Sequence, residues 1–197
     1  MATKRNPRFK ECRRLGVNVC GHPKAMNRAA APAFKRTKKI SEYGKQLIEK
    51  QKVKAYYGIL EKQLAHYFKQ ALKAEGKTGE ALIVALECRL DNLVYRIGFA
   101  SSIRMARQMV SHGHIAVDGK IINIPSFAVK VGQTVSLIEK MRKSSQFKKQ
   151  FASPNKIALE YLERDEENFS GKLISKPRRE KIPVEINDQM VVEFYSK

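Results

Sequence analysis

Apolar residues in the first half of the chain recur every three or four positions, which is the spacing of one buried helix face. From residue 53 to residue 72 this spacing predicts a long helical segment, and Ser41 is a suitable N-cap for its start. Aromatic rings on this face can also stack on bases, but their helical spacing favours packing in the core. The predicted face consists of Val53, Tyr56, Tyr57, Leu60, Leu64, Tyr67, Phe68 and Leu72.

A second helix is predicted after a break at residues 76–79, with Thr78 as its cap and Gly98 as its end. Arg89 and Arg96 are seven positions apart, so they point in nearly the same direction from an α-helix. We therefore predict that both arginines lie on the face opposite the buried one. The buried face consists of Ile83, Leu86, Leu90, Leu93, Val94 and Ile97.

A third, shorter helix is predicted to begin at Ser101 or Ser102, since either residue can cap it. Acidic residues are nearly absent from the arginine faces of this helix and the preceding one. The sequence thus predicts two helices on a shared core, with a basic stripe facing outward. In the third helix Ile103, Ala106, Met109 and Val110 face inward, and Arg104, Arg107, Gln108 and Ser111 face outward.

The residues that follow these helices predict a small twisted antiparallel sheet. Asp118 and Gly119 form a strong tight-turn signal, because both tolerate the positive φ angles of a short hairpin. They interrupt the otherwise mainly apolar segment 114–122, which predicts a strand on each side of the turn. Segments 129–131 and 135–137 predict a second pair of strands.

Three parts of the chain differ in composition, and together they predict an α+β fold. Residues 1–40 form a basic arm with few large apolar residues, so the arm should fold only against a partner. Residues 41–86 form a helical subdomain, which a terminal strand and helix within residues 170–197 complete. Residues 87–150 form the module of two helices and a sheet.

The charge of the chain indicates a polyanionic partner. Lys and Arg number 39 against 19 Asp and Glu, which makes a net charge of +20 and a pI near 10.0. Nucleic acid is the first candidate partner and an anionic membrane surface the second. No apolar run approaches the roughly 20 residues of a membrane span, and the N-terminus lacks the apolar core of a secretory signal. We therefore expect a cytosolic protein that binds nucleic acid.

Catalytic and metal-binding motifs are missing from the sequence. There is no phosphate-binding Walker loop and no G-x-G-x-x-G motif. His112 and His114 have the spacing of a metal pair, but no Cys or carboxylate cluster joins them. Cys12 and Cys20 lack the close pairing of a zinc site, and with Cys88 they make an odd, sparse set. We predict free thiols, no stoichiometric zinc and no cofactor.

The stretch from Arg89 to Gly119 carries a family resemblance. It contains R-L-D-N-L-V-Y-R-I-G-F, S-S-I-R-M-A-R-Q-M-V-S-H and I-A-V-D-G, with N-I-P-S shortly after. This pattern closely resembles the S-four family of small-subunit ribosomal proteins of bacteria and organelles. RNA-modifying enzymes carry a looser version of the same module. Segments 41–63 and 192–197 also resemble the ribosomal protein, so the resemblance covers nearly the whole chain.

The resemblance implies a structural role and several partners. Members of the family bind the 5′ domain of small-subunit ribosomal RNA early in assembly. They contact the S-five ribosomal protein, influence translational accuracy and lie near the mRNA entry channel. The positions that match the RNA-binding face are Arg89, Arg96, Arg104, Arg107, Gln108, His112 and Lys120. Those that match the channel are Arg36, Lys38 and Lys39, with Lys35 adjacent to them. We also predict that Lys45, Lys50, Lys52 and Lys54 face solvent or phosphate.

The chain departs from the family in its N-terminal arm. Many members carry a four-cysteine zinc site there, but only Cys12 and Cys20 are present here. Many also carry P-G-Q-H-G before the basic run, where this chain has A-A-A-P-A-F at residues 29–34.

Two other classes of protein remain as alternatives. One is an RNA-modifying enzyme, which needs a catalytic domain of well over ~100 residues, and only about 50 follow the module here. The other is a free RNA-binding stress factor or translational regulator.

Overall fold

Helices occupy most of the first half of the chain, and strands begin after residue 114. The computed structural model describes residues 7–27, 40–144, 147, 151 and 159–196. The helices are α1 (Arg8–Leu15), α2 (Glu42–Tyr56), α3 (Glu61–Ala71), α4 (Thr78–Glu87), α5 (Leu90–Ile97), α6 (Ile103–Ser111), α7 (Glu139–Arg142) and α8 (Asp188–Tyr195), with 3-10 turns at Pro23–Met26 and Arg179–Lys181. The strands are β1 (Ile115–Val117), β2 (Lys120–Ile121), β3 (Thr134–Leu137), β4 (Leu162–Asp165) and β5 (Ser170–Leu173). The chain divides into two compact units, residues 1–83 with 184–197 and residues 84–183.

Helix α2 begins where the sequence predicted, because Ser41 Oγ accepts a hydrogen bond from the Gly44 N–H over 3.2 Å. The single long helix predicted here is wrong, since α2 ends at Tyr56 and α3 starts at Glu61. Between them Gly58 has a φ of 60°, a conformation that glycine adopts at little cost. The apolar spacing continues across this turn, so periodicity alone did not reveal it.

Two of the four aromatic residues that the spacing assigned to the core of the first unit are buried, and the other two, Tyr56 and Tyr67, are half-buried. Tyr57 and Phe68 are buried, and the Phe68 ring stacks on Tyr195 of α8 with ring centroids 4.7 Å apart. Helix α8 also packs against α2, where Gln46 donates a hydrogen bond to Glu193 over 2.8 Å. The terminal helix is therefore part of the helical unit, whereas residues 184–186 do not form the predicted strand.

The second predicted helix is instead two helices, because Arg89 has an extended backbone (φ −68°, ψ 140°) between α4 and α5. The first N–H groups of a helix need acceptors from outside it. Here the Leu90 N–H donates to the Phe127 carbonyl over 2.8 Å, and the Asp91 N–H donates to the Pro125 carbonyl over 3.1 Å. The loop after β2 thus supplies the acceptors that let α5 begin.

This loop also explains why the second predicted strand pair is wrong. The Val129 N–H donates to the Cys88 carbonyl over 2.9 Å, so the chain at residue 129 lies along the break between α4 and α5. Strand β3 pairs with β1 and β5 instead of with residues 129–131. The sheet has the order β2-β1-β3-β5-β4, and every neighbouring pair is antiparallel.

The predicted hairpin is confirmed: Asp118 and Gly119 have φ angles of 47° and 78° and join β1 to β2.

Residues 170–173, predicted to belong to the helical subdomain, form β5 and lie in the second unit. The strands of this region escaped prediction because β4 has three charged residues in a row, which hide the alternation of a strand. The α+β fold class is confirmed. None of the helices in the described ranges is long and apolar enough to cross a membrane.

Candidate nucleic-acid interface

Helices α5 and α6 form the scaffold of the predicted basic surface. They pack against each other, and Leu93 and Val94 of α5 and Val110 of α6 are buried. Ser102 caps α6, because its Oγ accepts a hydrogen bond from the Met105 N–H over 3.3 Å. The shared core of the two helices, predicted from their apolar faces, is therefore present.

Arg89 lies inside the protein rather than on its surface. Only 2% of the residue is exposed. Its Nε donates to Asp91 Oδ1 over 3.1 Å, and its Nη2 donates to Asp91 Oδ2 over 2.9 Å. The prediction that Arg89 and Arg96 point the same way from one helix is wrong, because the helix breaks at Arg89 and turns this side chain into the core.

Arg107 approaches the same carboxylate from α6. Its Nε and Nη2 donate to Asp91 Oδ2 over 2.9 and 2.6 Å. The Asp91 side chain is fully buried, but that of Arg107 is 21% exposed. These three residues, Arg89, Asp91 and Arg107, are called the arginine–aspartate triad below. Arg107 is the member of the triad whose side chain reaches solvent.

Arg96 is held by a second buried carboxylate. Its Nε donates to Glu87 Oε1 over 2.6 Å, and its Nη2 donates to Glu87 Oε2 over 3.3 Å. The Tyr161 hydroxyl donates to Glu87 Oε1 over 2.7 Å. Burial, and then the charge of Glu87, raise the pKa of Tyr161 well above its usual value, so the hydroxyl keeps its proton. Glu87 and Asp91 correct the expectation that acidic partners are nearly absent, since both lie beneath the arginines.

Four predicted residues of this face are exposed: Arg104, Gln108, His112 and Lys120. The His112 ring lies 5.8 Å from that of His114, between ring centroids. Burial lowers the pKa of His114, and the charges of His112 and Lys140 lower it further. His114 therefore adds little positive charge at neutral pH.

The lysines of α2 are paired with carboxylates. Lys50 is buried, contrary to prediction, because its Nζ lies 3.0 Å from Glu61 Oε1 and 4.2 Å from the centroid of the Phe194 ring. Lys54 also binds Glu61 over 2.8 Å. Lys52 pairs with Glu49 over 2.6 Å, and the more exposed Lys45 pairs with Glu42 over 2.7 Å.

Glu61 accepts hydrogen bonds from three residues on two other helices of the helical unit, α2 and α8. Burial alone would raise the pKa of this carboxylate. Hydrogen bonds from Lys54, Tyr195 and Lys50 outweigh burial and lower the pKa to about 2. Lys50 and Lys54 thus have a structural role in this unit, one that a count of surface charges does not reveal.

The other residues with a predicted role, the basic run and two cysteines, belong to the N-terminal arm. Lys35, Arg36, Lys38 and Lys39 lie outside the described residues. The Sγ atoms of Cys12 and Cys20 lie 3.9 and 3.6 Å from Asn18 Oδ1. In the part of the chain that the structure describes, no three His, Cys, Asp or Glu side chains are placed to hold a metal ion. The absence of zinc stays a prediction.

Sequence reasoning missed Glu87, Asp91 and Tyr161. Asp91 stands two positions from Arg89, which is a local signal for pairing. Asp91 also contacts Arg107, which lies sixteen positions later in the sequence, and this contact depends on how α5 and α6 pack. Tyr161 is 74 positions from Glu87, and its contact had no sequence signal.

The region that contains α5, α6 and β1 identifies the class of protein. Residues 88–135 match the S4 domain family, and residues 3–87 match the N-terminal domain of ribosomal protein S4/S9. The chain is 51% identical to the small ribosomal subunit protein uS4 of Finegoldia magna and to uS4B of Clostridium acetobutylicum, and 45% identical to uS4 of a Geobacillus strain. Each comparison covers 100% of both chains. This chain therefore belongs to the ribosomal protein S4 family.

The relatives also bear on one of the two alternative classes of protein, the RNA-modifying enzyme. They are named as ribosomal proteins rather than as enzymes. The prediction that this protein is not an RNA-modifying enzyme is confirmed.

Proposed function

We propose that this protein is a structural component of the small ribosomal subunit in the cytoplasm, and that it binds the 5′ domain of the subunit's ribosomal RNA early in assembly. The observation that carries this proposal is its 51% identity to a uS4 protein over the full length of both chains. The net charge of +20 supports it, because such a charge needs a polyanion to offset self-repulsion.

The exposed face of α6 and the adjoining hairpin form the proposed contact with RNA. Arg104, Gln108 and His112 belong to α6 or its end, and Lys120 lies on β2. Arginine suits this contact because its planar guanidinium donates two parallel hydrogen bonds to a phosphate. Arg107 joins them at the edge of the buried triad, whereas Arg89 and Arg96 support the surface from inside.

Binding to defined RNA fragments tests the RNA part of the proposal. Wild-type protein should bind a 5′-domain fragment more tightly than a fragment from another domain of the same RNA. Arg104→Glu should weaken the first interaction about tenfold and flatten its salt dependence by about one unit of slope. Lys172→Glu is a matched control, since it makes the same charge change at the exposed position of β5. Equal effects of both substitutions would indicate only general attraction between opposite charges and would contradict the proposed interface.

Co-sedimentation separates a ribosomal component from a free regulator. A tagged copy of the protein should remain with small subunits through a high-salt wash, because an assembled component is held by more than surface charge. Recovery only in the soluble fraction would favour a free RNA-binding translational regulator instead.

The proposed partners also include the S-five ribosomal protein and mRNA near the entry channel. The basic run at Lys35, Arg36, Lys38 and Lys39 supports an mRNA contact by its charge. Replacing these four residues with Gln should reduce cross-linking to mRNA in assembled subunits. Cross-linking to S-five should persist in this variant, which serves as its internal control. An unchanged mRNA cross-link would contradict the channel assignment.

A further inference from the structure

The arginine–aspartate triad connects a buried part of the second unit to the proposed RNA-binding face. Arg89 and Asp91 are 2% and 0% exposed, so neither can reach a phosphate in the folded protein. Arg107 is the one member with a partly exposed side chain. A direct role in RNA binding therefore falls to Arg107 alone among the three.

Asp91 restricts how the guanidinium of Arg107 is oriented. Two N–H groups of Arg107, at Nε and Nη2, donate to the same oxygen of Asp91 over 2.9 and 2.6 Å. A second contact from one guanidinium edge fixes its plane as well as its position. A long arginine side chain otherwise samples many rotamers and loses that freedom on binding.

Arg89 in turn restricts the carboxylate of Asp91. It donates to both Asp91 oxygens, over 3.1 and 2.9 Å. The backbone around both residues is held as well, because the N–H groups of Leu90 and Asp91 donate to the carbonyls of Phe127 and Pro125. The orientation of Arg107 is thus determined by contacts that exist before any RNA arrives.

We propose that Arg89 and Asp91 are positioning residues that preorganise Arg107 for a phosphate of the RNA. This inference rests on the RNA-binding function proposed above. It explains why the pattern R-L-D-N contains an arginine that cannot reach RNA. Arg89 acts on the RNA only through Arg107, because its two hydrogen bonds hold the carboxylate that orients Arg107.

A double-mutant cycle with the full-length protein tests the inference. The variants are Asp91→Asn, Arg107→Lys and their combination, each measured for affinity to the 5′-domain fragment after circular dichroism confirms folding. Arg107→Lys keeps the charge but loses the fork, so each single variant should bind about tenfold more weakly. The combination should be no weaker than either single variant. Additive losses, near a hundredfold together, would show that Asp91 acts independently of Arg107 and would overturn the inference.

Arg104→Glu separates failure of the inference from failure of the proposed function. If Arg104→Glu weakens binding but the Asp91 and Arg107 effects add, then only the positioning role is wrong. If none of these substitutions changes affinity, then the proposed interface itself is wrong.

A measurement on the wild-type protein covers the case in which Asp91→Asn does not fold. The Arg107 Nε–H signal, assigned by its loss in Arg107→Lys, should be sharp and slow to exchange in the RNA-free protein. A rapidly exchanging signal that becomes ordered only when the RNA fragment is added would show that RNA, rather than Asp91, orients this side chain.

Discussion

The Tyr161 hydroxyl donates a 2.7 Å hydrogen bond to Glu87, and both side chains are buried. Glu87 also binds Arg96, so the hydroxyl satisfies a lone pair of a carboxylate that is removed from water. Tyr161→Phe should lower the free energy of unfolding by about 1–3 kcal/mol, because it leaves that acceptor incompletely paired. Urea denaturation followed by circular dichroism measures this loss.

Tyr43→Phe is the control for Tyr161→Phe. The Tyr43 residue is 56% exposed, so removal of its hydroxyl should change the free energy of unfolding little. Equal losses from the two substitutions would show that the Tyr161 hydroxyl has no special role.

The carboxylate of Glu61 should make the stability of the helical unit depend on acid pH. Its pKa is about 2 in the folded protein, against an ordinary value of 4.5. Between these values the unfolded chain binds a proton that the folded chain does not, so unfolding becomes more favourable as the pH falls. The stabilisation is complete above about pH 4.5 and should be lost as the pH falls towards 2.

Glu61→Gln tests this dependence, because glutamine has no carboxylate to titrate. Thermal unfolding of wild type and variant should be compared at pH 6 and pH 3. The gap in melting temperature between them should narrow at the lower pH. Its size will be moderate, since the Glu61 side chain is 45% exposed and water screens its pairs. A gap that does not change with pH would contradict the role of this carboxylate.

The close approach of β5 to α5 should make Gly171 intolerant of any side chain. A Cβ atom there would lie 2.7 Å from Ile97 Cγ1 and 2.8 Å from its Cδ1. Gly171→Ala should therefore lower the free energy of unfolding by about 1–3 kcal/mol through overpacking. Ile97→Ala removes these two atoms and also Cγ2, which would lie 2.9 Å from the added Cβ. The double variant should therefore lose less stability than the sum of the two single variants. If the losses of the two single variants add in urea denaturation, then Gly171→Ala does not destabilise the protein through a clash with Ile97.

Asp118 should matter for the β1–β2 turn through its side chain as well as its backbone. Its Oδ1 accepts the Thr134 N–H over 2.8 Å, and its Oδ2 accepts Gln133 Nε2 over 2.8 Å. Asp118→Ala loses both bonds and places alanine at a φ of 47°, so it should destabilise the turn by about 1–2 kcal/mol.

Asp118→Asn is the milder partner of that substitution. Asparagine keeps one acceptor oxygen and tolerates the left-handed conformation. Hydrogen exchange of the Thr134 amide should therefore be much faster in Asp118→Ala than in Asp118→Asn. Similar exchange rates in the two variants would assign the effect to other parts of the sheet.

Local signals in the sequence predicted much of the fold, because each depends on neighbouring residues. Ser41 caps its helix, Gly98 ends α5 with a φ of 100°, and Asp118 with Gly119 forms the hairpin turn. Contacts between distant segments were not predictable in this way. The apolar spacing continues through Gly58, so it did not predict the break between α2 and α3. The break at Arg89 depends on carbonyl groups of the loop near residue 127, which are distant in the sequence.

The candidate interface shows the same division between local and distant effects. Helical spacing placed Arg104 and Gln108 on the exposed face of α6, and the structure agrees. Helical spacing also predicted Arg89 on that surface, where water hydrates a charged side chain. Arg89 is instead buried against Asp91, two positions along the chain, and helical spacing did not reveal this pair. The second contact of Asp91, with Arg107 sixteen positions later, depends on the packing of α5 against α6.

The placement of α8 in the first unit has a consequence for synthesis of the chain. The helical unit combines residues 1–83 with 184–197, whereas the second unit is a continuous segment. A ribosome therefore makes all of residues 84–183 before it makes the helix that packs on α2. We expect the second unit to become protease-resistant on the nascent chain while the earlier helices still await α8.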